Sequence, residues 1–298
     1  MNNHYYIVDV FADNKYAGNP LAVFTNSANI DTQEMQSIAK EINYSETTFI
    51  TSPQKNNGGY EVRIFTPNRE IPFAGHPTLG TPYIIQQIII KKPVEKIILN
   101  LEEGQIPVTI NYKNSLPEWL WMRQKAPYFG SKLPGSVIAE VLRLNPSDID
   151  LRWPIQEVST GLPFIIVPLK NISALQQISL NIDKYYQLIA ETEAKCILVF
   201  SPETYYPENN LHVRVFCNYM GISEDPATGS ANGCLAGYLT QYTYFGDENI
   251  NIRVEQGYEI GRPSLLLLKA SRNDVCIDIN IGGKVILVAK GEFLVPAK

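Results

Sequence analysis

The second half of this chain restates the first. Gly18-Asn19-Pro20-Leu21-Ala22-Val23-Phe24 returns as Gly161-Leu162-Pro163-Phe164-Ile165-Ile166-Val167. Ser37–Glu41 returns as Gln187–Glu191, Ile50–Pro53 as Val199–Pro202, and Val62-Arg63-Ile64-Phe65 as Val213-Arg214-Val215-Phe216. Thr78 and Thr228 each open an apolar stretch, and Glu102-Glu103-Gly104 answers to Glu255-Gln256-Gly257. Each match alone is weak. Taken in one order, at a spacing that stays near roughly 150 residues, they describe duplication of a half-chain unit. A chain of 298 residues is long enough for two such units, each with its own core.

Within the unit the pattern is mixed. Tyr5–Phe11 and Leu21–Phe24 are rich in β-branched and aromatic residues and predict strands. Asp31–Ile42 carries Met35, Ile38, Ala39 and Ile42 at helical spacing, with Asp31 or Thr32 as N-cap. Strands are expected at Thr47–Thr51, Tyr60–Phe65, Lys96–Leu101 and Val108–Tyr112. Between them lie a Gly/Pro-rich loop, Thr66–Pro77, and an apolar segment, Thr78–Ile90. The equivalent segment of the second unit, Ser230–Thr240, holds Ala231, Gly233, Ala236 and Gly237. Small side chains there predict a helix enclosed on every side, because they let surrounding backbone approach. Pro117, Pro127 and Pro134 mark Lys113–Pro134 as the crossover between units.

Composition excludes several classes. Lys+Arg 25 against Asp+Glu 30 gives a net charge of −5 with no basic cluster, a poor field for nucleic acid or an anionic membrane. The greasiest runs, Ile84–Ile90 and Leu265–Leu268, fall short of the roughly 18 apolar residues of a membrane span. Met1–Val10 lacks the basic start and apolar core of a signal peptide. Cys196, Cys217, Cys234 and Cys276 form no C-x-x-C pair, which predicts reduced thiols in a cytoplasmic protein.

Nucleotide-binding glycine patterns, H-E-x-x-H and G-x-S-x-G are absent, and His4, His76 and His212 are far apart in sequence, so no spacing supports a metal site. Two loops stand out. Ile71–Gly80 contains Gly75 and His76, and Ser223–Ala231 contains Asp225, Gly229 and Ser230. Both precede the central helix of their repeat. Each offers amide groups at a helix start to an anion such as a carboxylate, and each carries a proton-transfer group. One such loop is ordinarily just a turn. The same position elaborated in both halves points to a cleft with acid–base groups on both walls. Glu46, where helix gives way to strand, is the third candidate. Its counterpart is Lys195, so the shared fold does not require this carboxylate. Cys217 and Cys234 lack repeat partners and read as small core residues.

These pieces coincide with a known family. Val8-Asp9-Val10-Phe11 with Gly18-Asn19-Pro20, Ser45-Glu46-Thr47-Thr48-Phe49, Arg63-Ile64-Phe65-Thr66-Pro67, Phe73-Ala74-Gly75-His76-Pro77-Thr78, Glu224-Asp225-Pro226-Ala227-Thr228-Gly229-Ser230-Ala231, and Gln256-Gly257 with Gly261-Arg262-Pro263-Ser264 run through nearly the whole chain. Together they resemble the phenazine-biosynthesis isomerase-like family, which has the diaminopimelate epimerase fold. The resemblance implies an α+β protein of two pseudo-symmetric domains. Each is a curled, barrel-like β-sheet around a central α-helix, with the active site in the cleft between them. The expected domains are residues 1–117, joined by a last strand near 285–298, and residues 128–284. Members of the family are usually dimeric and use no metal or organic cofactor. The resemblance implies that Glu46 moves the proton, on a dihydro-hydroxyanthranilate in the phenazine enzyme itself. His76, Asp225 and Ser230 assist, and Ser45, Gly75 and Gly229 help hold substrate. The paired catalytic cysteines of the epimerase are absent here, which counts against thiol-based racemisation.

The sequence therefore predicts a cofactor-independent isomerase or epimerase, expected to be a homodimer, acting on a small carboxylated metabolite, cyclic ones included. A non-catalytic carboxylate binder on the same fold, or a scaffold, is the competing reading. A binder needs the glycines and amides but has no use for a carboxylate facing an anionic ligand.

Overall fold

The computed structural model describes residues 2–294. Met1 and residues 295–298, which the expected domains include, lie outside the described residues. The chain forms two compact units. One runs to Arg123 and takes up the chain again from Gly282, and the other is Gln124–Ile281.

The first unit contains β1 (Asn2–Val10), β2 (Asn19–Phe24), α1 (Thr32–Ile42), β3 (Thr47–Ile50), β4 (Tyr60–Phe65), β5 (Glu70–Ile71), α2 (Gly75–Ile84), β6 (Lys96–Leu101), β7 (Gly104–Lys113) and β8 (Leu116–Gln124). The second contains β9 (Tyr128–Lys132), α3 (Gly135–Leu142), β10 (Gln156–Ser159), β11 (Pro163–Pro168), α4 (Ile172–Gln177), α5 (Ile182–Glu191), β12 (Cys196–Ser201), β13 (Leu211–Cys217), β14 (Ile222–Asp225), α6 (Gly229–Gln241), β15 (Asn249–Gln256), β16 (Ser264–Arg272) and β17 (Ile277–Gly283). The last strand, β18 (Val285–Leu294), lies antiparallel to β1 and so completes the first unit.

The duplication holds strand by strand. β1–β2 is antiparallel and β2–β3 parallel, as are β10–β11 and β11–β12. β3–β4 and β4–β5 are antiparallel and β4–β6 parallel, matched by β12–β13, β13–β14 and β13–β15. β18 beside β1 takes the role that β9 takes beside β10. The end of the chain thus supplies to the first unit the strand that the second unit takes from its own beginning.

Each sheet curls around its own helix. α2 touches β1, β2, β3, β6, β7 and β18, and α6 touches β10, β11, β15 and β16. Neither helix has a polar face to spare: every residue of α6 except Ser230 and Gln241 is buried. A Cβ at Gly237 would stand 2.8 Å from the Pro127 ring, so its small size is what lets that residue approach. After α2 the chain widens into one π-helical stretch, Ile85–Ile90. Outside each sheet lies a second core. In the first unit Met35, Ile38 and Ala39 of α1 cover Phe24, Phe49 and Phe65, with Phe24 and Phe49 stacked at 5.0 Å. In the second, α3 and α5 cover Ile165, Ile197 and Phe216. Asp31 caps α1, accepting from the Glu34 amide at 2.9 Å, a contact worth about 1 kcal/mol.

The stretch Lys113–Pro134 carries the chain from one unit to the other, the boundary falling between Arg123 and Gln124, and β8 and β9 occupy most of it. Pro117 is the second residue of β8, opposite Tyr112 and beside a register shift in the β7–β8 ladder, an irregularity at which a residue without an N–H is tolerated. The loop Thr66–Pro77 is shorter than expected, because β5 lies within it and α2 begins at Gly75. Pro77 falls in the first turn of α2, where its missing N–H has no intrahelical partner to lose. Among the described residues, no helix is long and apolar enough to cross a membrane.

Candidate active site

In the first unit the structure brings Glu46 and His76 together. α1 ends at Ile42, and Asn43, in left-handed conformation (φ 55°), donates its N–H to the Ala39 carbonyl. The chain then turns through Tyr44 and Ser45, both half-buried, and Glu46 directly precedes β3. Gly75 and His76 are the first two residues of α2 and both are buried. No side chain caps that helix start. His76 Nδ1 lies 3.5 Å from Glu46 Oε2, with side-chain exposures of 5% and 15%. Burial pushes the His76 pKa down to about 3, against a smaller upward pull from the Pro20 backbone. Near neutral pH the imidazole is therefore uncharged, and the contact is a carboxylate beside a neutral ring rather than an ion pair.

The equivalent place in the second unit is built differently. Lys195, just before β12, donates its ammonium to the carbonyls of Ile189 and Thr192. It closes the C-terminal end of α5, where a cation is favoured. At the end of α1 the Asn43 amide does the capping, and the residue before β3 is a carboxylate.

The second unit gathers Asp225, Gly229 and Ser230. Asp225 ends β14 and is buried. Gly229 and Ser230 open α6, whose N-cap Thr228 makes no side-chain cap. The Thr228 hydroxyl instead donates to Asp225 Oδ2. Gln256, at the end of β15, fastens the whole turn. Its Nε2 donates to the Asp225 carbonyl at 2.8 Å and to Thr228 Oγ1 at 3.1 Å, and its Oε1 accepts from the Thr228 amide at 3.2 Å and Asn232 Nδ2 at 2.9 Å. Gly257 follows with φ +79°, where a Cβ would stand 2.4 Å from the Arg262 carbonyl oxygen and 2.6 Å from that of Pro226. Both obstacles are backbone and cannot swing aside. Gly257→Ala should therefore cost about 1–3 kcal/mol and displace the Asp225 turn. Equal thermal unfolding of variant and parent would contradict this.

The expected residues thus fall into two groups, one per unit: Ser45, Glu46, Gly75 and His76 in the first, and Asp225, Gly229 and Ser230 in the second. Sequence reasoning passed over Thr228, Asn232 and the role of Gln256. The available signal was the end of β15, where alternation gives way to two successive buried polar residues, Glu255 and Gln256, before a glycine. Cys217 and Cys234 are buried. Burial pushes the Cys234 thiol up to about 12, partly offset by hydrogen bonding around Thr160, so it has no thiolate character. Among the described residues no group of His, Cys, Asp and Glu is arranged to hold a metal ion.

Curled sheets wrapped on helices, repeated once, with polar helix starts carrying proton-transfer groups, define a protein of the diaminopimelate epimerase-like fold. The family model described as phenazine biosynthesis-like protein matches residues 8–291, and the chain belongs to that family. It is 32% identical over 295 residues to a protein named as an uncharacterised isomerase from Pasteurella multocida, covering 98% of this chain and 94% of that one. It is 32% identical over 292 residues to the trans-2,3-dihydro-3-hydroxyanthranilate isomerase of Pseudomonas chlororaphis, covering 97% and 98%. The crystal structure of a PhzF-family phenazine biosynthesis protein from Bacillus anthracis superposes with a TM-score of 0.91 at 27% identity, over 99% of this chain and 100% of that one. With relatives so named, this chain is an enzyme of the isomerase class.

Proposed function

We propose that the chain is a cofactor-independent isomerase or epimerase that relocates a proton on a small carboxylated metabolite, with Glu46 as the general acid/base. The observation that carries this reading is the placement of Glu46 against buried, neutral His76, at a position where the other repeat uses a purely structural lysine. A carboxylate can take a proton from carbon and return it to another carbon or to the other face. A neutral imidazole beside it can relay a proton, accepting at one ring nitrogen as it releases the proton on the other, with no net change of charge. The two groups act as half-sites of one reaction. Asp225 and Ser230 assist proton transfer, and Ser45, Gly75 and Gly229 hold the substrate, the helix-start amides taking its carboxylate. Those amides also stabilise negative charge developing in the transition state. The relatives named as isomerases support this chemistry, and a cyclic dihydro-hydroxyanthranilate is the substrate type that one of them suggests. The protein acts as a cytoplasmic homodimer whose domains are the two duplicated halves.

The test is incubation with a panel of small unsaturated and cyclic carboxylic acids in deuterium oxide, read by mass spectrometry. The expected result is isomerisation of at least one acid, with solvent deuterium on a carbon-bound position. Gly229→Val should abolish binding of that acid, because a β-branched side chain beside the amides of α6 fills the carboxylate's place. An acid that binds without turnover or exchange would favour the non-catalytic binder instead.

A further inference from the structure

His212, a buried histidine that the proposed mechanism does not use, sits in an ionic cluster of the second unit. It lies on β13, opposite Glu255 in the parallel ladder with β15, and its side chain has no exposed surface. Nδ1 is 3.4 Å from Glu255 Oε2, and Nε2 is 3.0 Å from Glu259 Oε1. Glu255 is itself fully buried and also accepts from the Tyr205 amide (2.8 Å), the Tyr206 amide (2.9 Å) and Asn209 Nδ2 (2.7 Å). The rings of Tyr205 and Tyr258 meet the imidazole edge-on at 5.1 and 5.6 Å. Glu255 and Glu259 bracket Gln256 and Gly257, the residues that fasten the Asp225 turn. The first repeat has no such cluster: Glu61 stands where His212 would and bonds Asn56 and Asn100 instead. The fold itself therefore does not require a buried cation there.

We propose that His212, held as a cation between Glu255 and Glu259, is a positioning residue that sets Gln256, and through it the Asp225–Ser230 half-site. The residue is silent in the chemistry and acts by fixing where β15 ends. The proposal rests on the isomerase reading only for its effect on turnover.

Burial alone would lower the His212 pKa, but hydrogen bonds and charge from Glu255 and Glu259 outweigh it and raise it. Burial would raise both glutamates, but His212 and, for Glu255, Asn209 and the Tyr205 and Tyr206 amides outweigh it and lower them. The groups facing His212 are Glu255 from β15, Glu259 from the following turn, and Tyr205 and Tyr258, with Arg214 adding positive charge near Glu259. The histidine's contribution is complete below its ordinary value of about 6.5 and is lost as pH rises through its raised value. The carboxylates' contribution is complete above about 4.3 and is lost as pH falls through their lowered values. The turn is held firmly between those limits and loosens on the alkaline side as His212 loses its proton.

Hydrogen exchange read by mass spectrometry tests this without any substrate. In the intact protein, His212→Gln should speed exchange in residues 225–232 at least roughly tenfold, the equivalent of one charge-assisted hydrogen bond. Segments around Glu46 should be unchanged. Gln256→Ala should do the same, and the double variant should exchange no faster than Gln256→Ala alone. The unmodified protein, corrected for intrinsic exchange, should lose protection in this segment as pH rises, which keeps the proposal testable if the variant fails to fold. Loosening confined to residues 255–262, with 225–232 as protected as in the parent at every pH, would overturn the proposal. With a substrate in hand, His212→Gln should lower kcat more than it raises KM and remove the alkaline limb of the pH profile. Loss of the exchange coupling refutes the positioning role. Intact coupling with no turnover refutes only the isomerase reading.

Discussion

Glu46→Gln should lower turnover by about 10²–10⁴-fold, the usual contribution of a general base, while substrate still binds. Glutamine keeps the length of the side chain and can still meet His76, which lies 3.5 Å from the carboxylate, but it cannot accept a proton from carbon. The prediction is checked by steady-state kinetics on whichever carboxylic acid the deuterium screen identifies. The loss should appear in kcat, with KM close to the parent's, and deuterium entry should fall in parallel. Full activity in this variant would remove Glu46 from the mechanism. His76→Gln is the companion. A buried neutral ring contributes by relaying a proton, so its loss should be smaller than that of Glu46→Gln.

The duplication was legible because both halves keep the same turn formers and alternation. Gly18–Phe24 and Gly161–Val167 each span the entry to a strand and most of that strand, β2 and β11, and these make equivalent antiparallel and parallel pairings. Glu46 was legible for the opposite reason, that the halves differ there, and the structure supplies the cause in the helix-closing role of Lys195. Prolines misled. Pro117 and Pro77 read as breakers, yet one sits beside a ladder irregularity and the other in the first turn of a helix, places that only a known partner strand or helix start reveals. Gln256 and His212 were illegible as functional candidates because their significance is tertiary. Nothing in Glu255-Gln256-Gly257 announces that the amide in the middle ties Thr228 and Asn232, or that the glutamate before it meets a histidine on β13.

The largest stability effect is expected at a motif that both repeats share but bury differently. Arg63 and Glu70 form a two-bond fork at 2.7 and 2.6 Å, and Arg214 and Glu224 form its counterpart at 2.9 and 2.7 Å. Each arginine also lies over the phenylalanine two residues on, at 5.1 and 5.0 Å. The first pair keeps 30% and 31% of its side-chain surface exposed, the second only 9% and 8%. Arg214 also donates to the carbonyls of Leu175 and Ile178, at 2.9 and 3.3 Å, joining β13 to the end of α4. Arg63→Met leaves a carboxylate that water can reach, and should cost no more than about 1 kcal/mol. Arg214→Met strands the Glu224 carboxylate and the Ile178 carbonyl in the interior, while the Leu175 carbonyl keeps the Ile178 amide as donor, and should cost about 3–5 kcal/mol. Urea unfolding of the two variants beside the parent measures the difference. Pairing Arg214→Met with Glu224→Leu should recover much of the loss, since replacing both charges by apolar groups is far cheaper than stranding one. Similar midpoints for Arg63→Met and Arg214→Met would mean that the fork's geometry, rather than its burial, sets its worth.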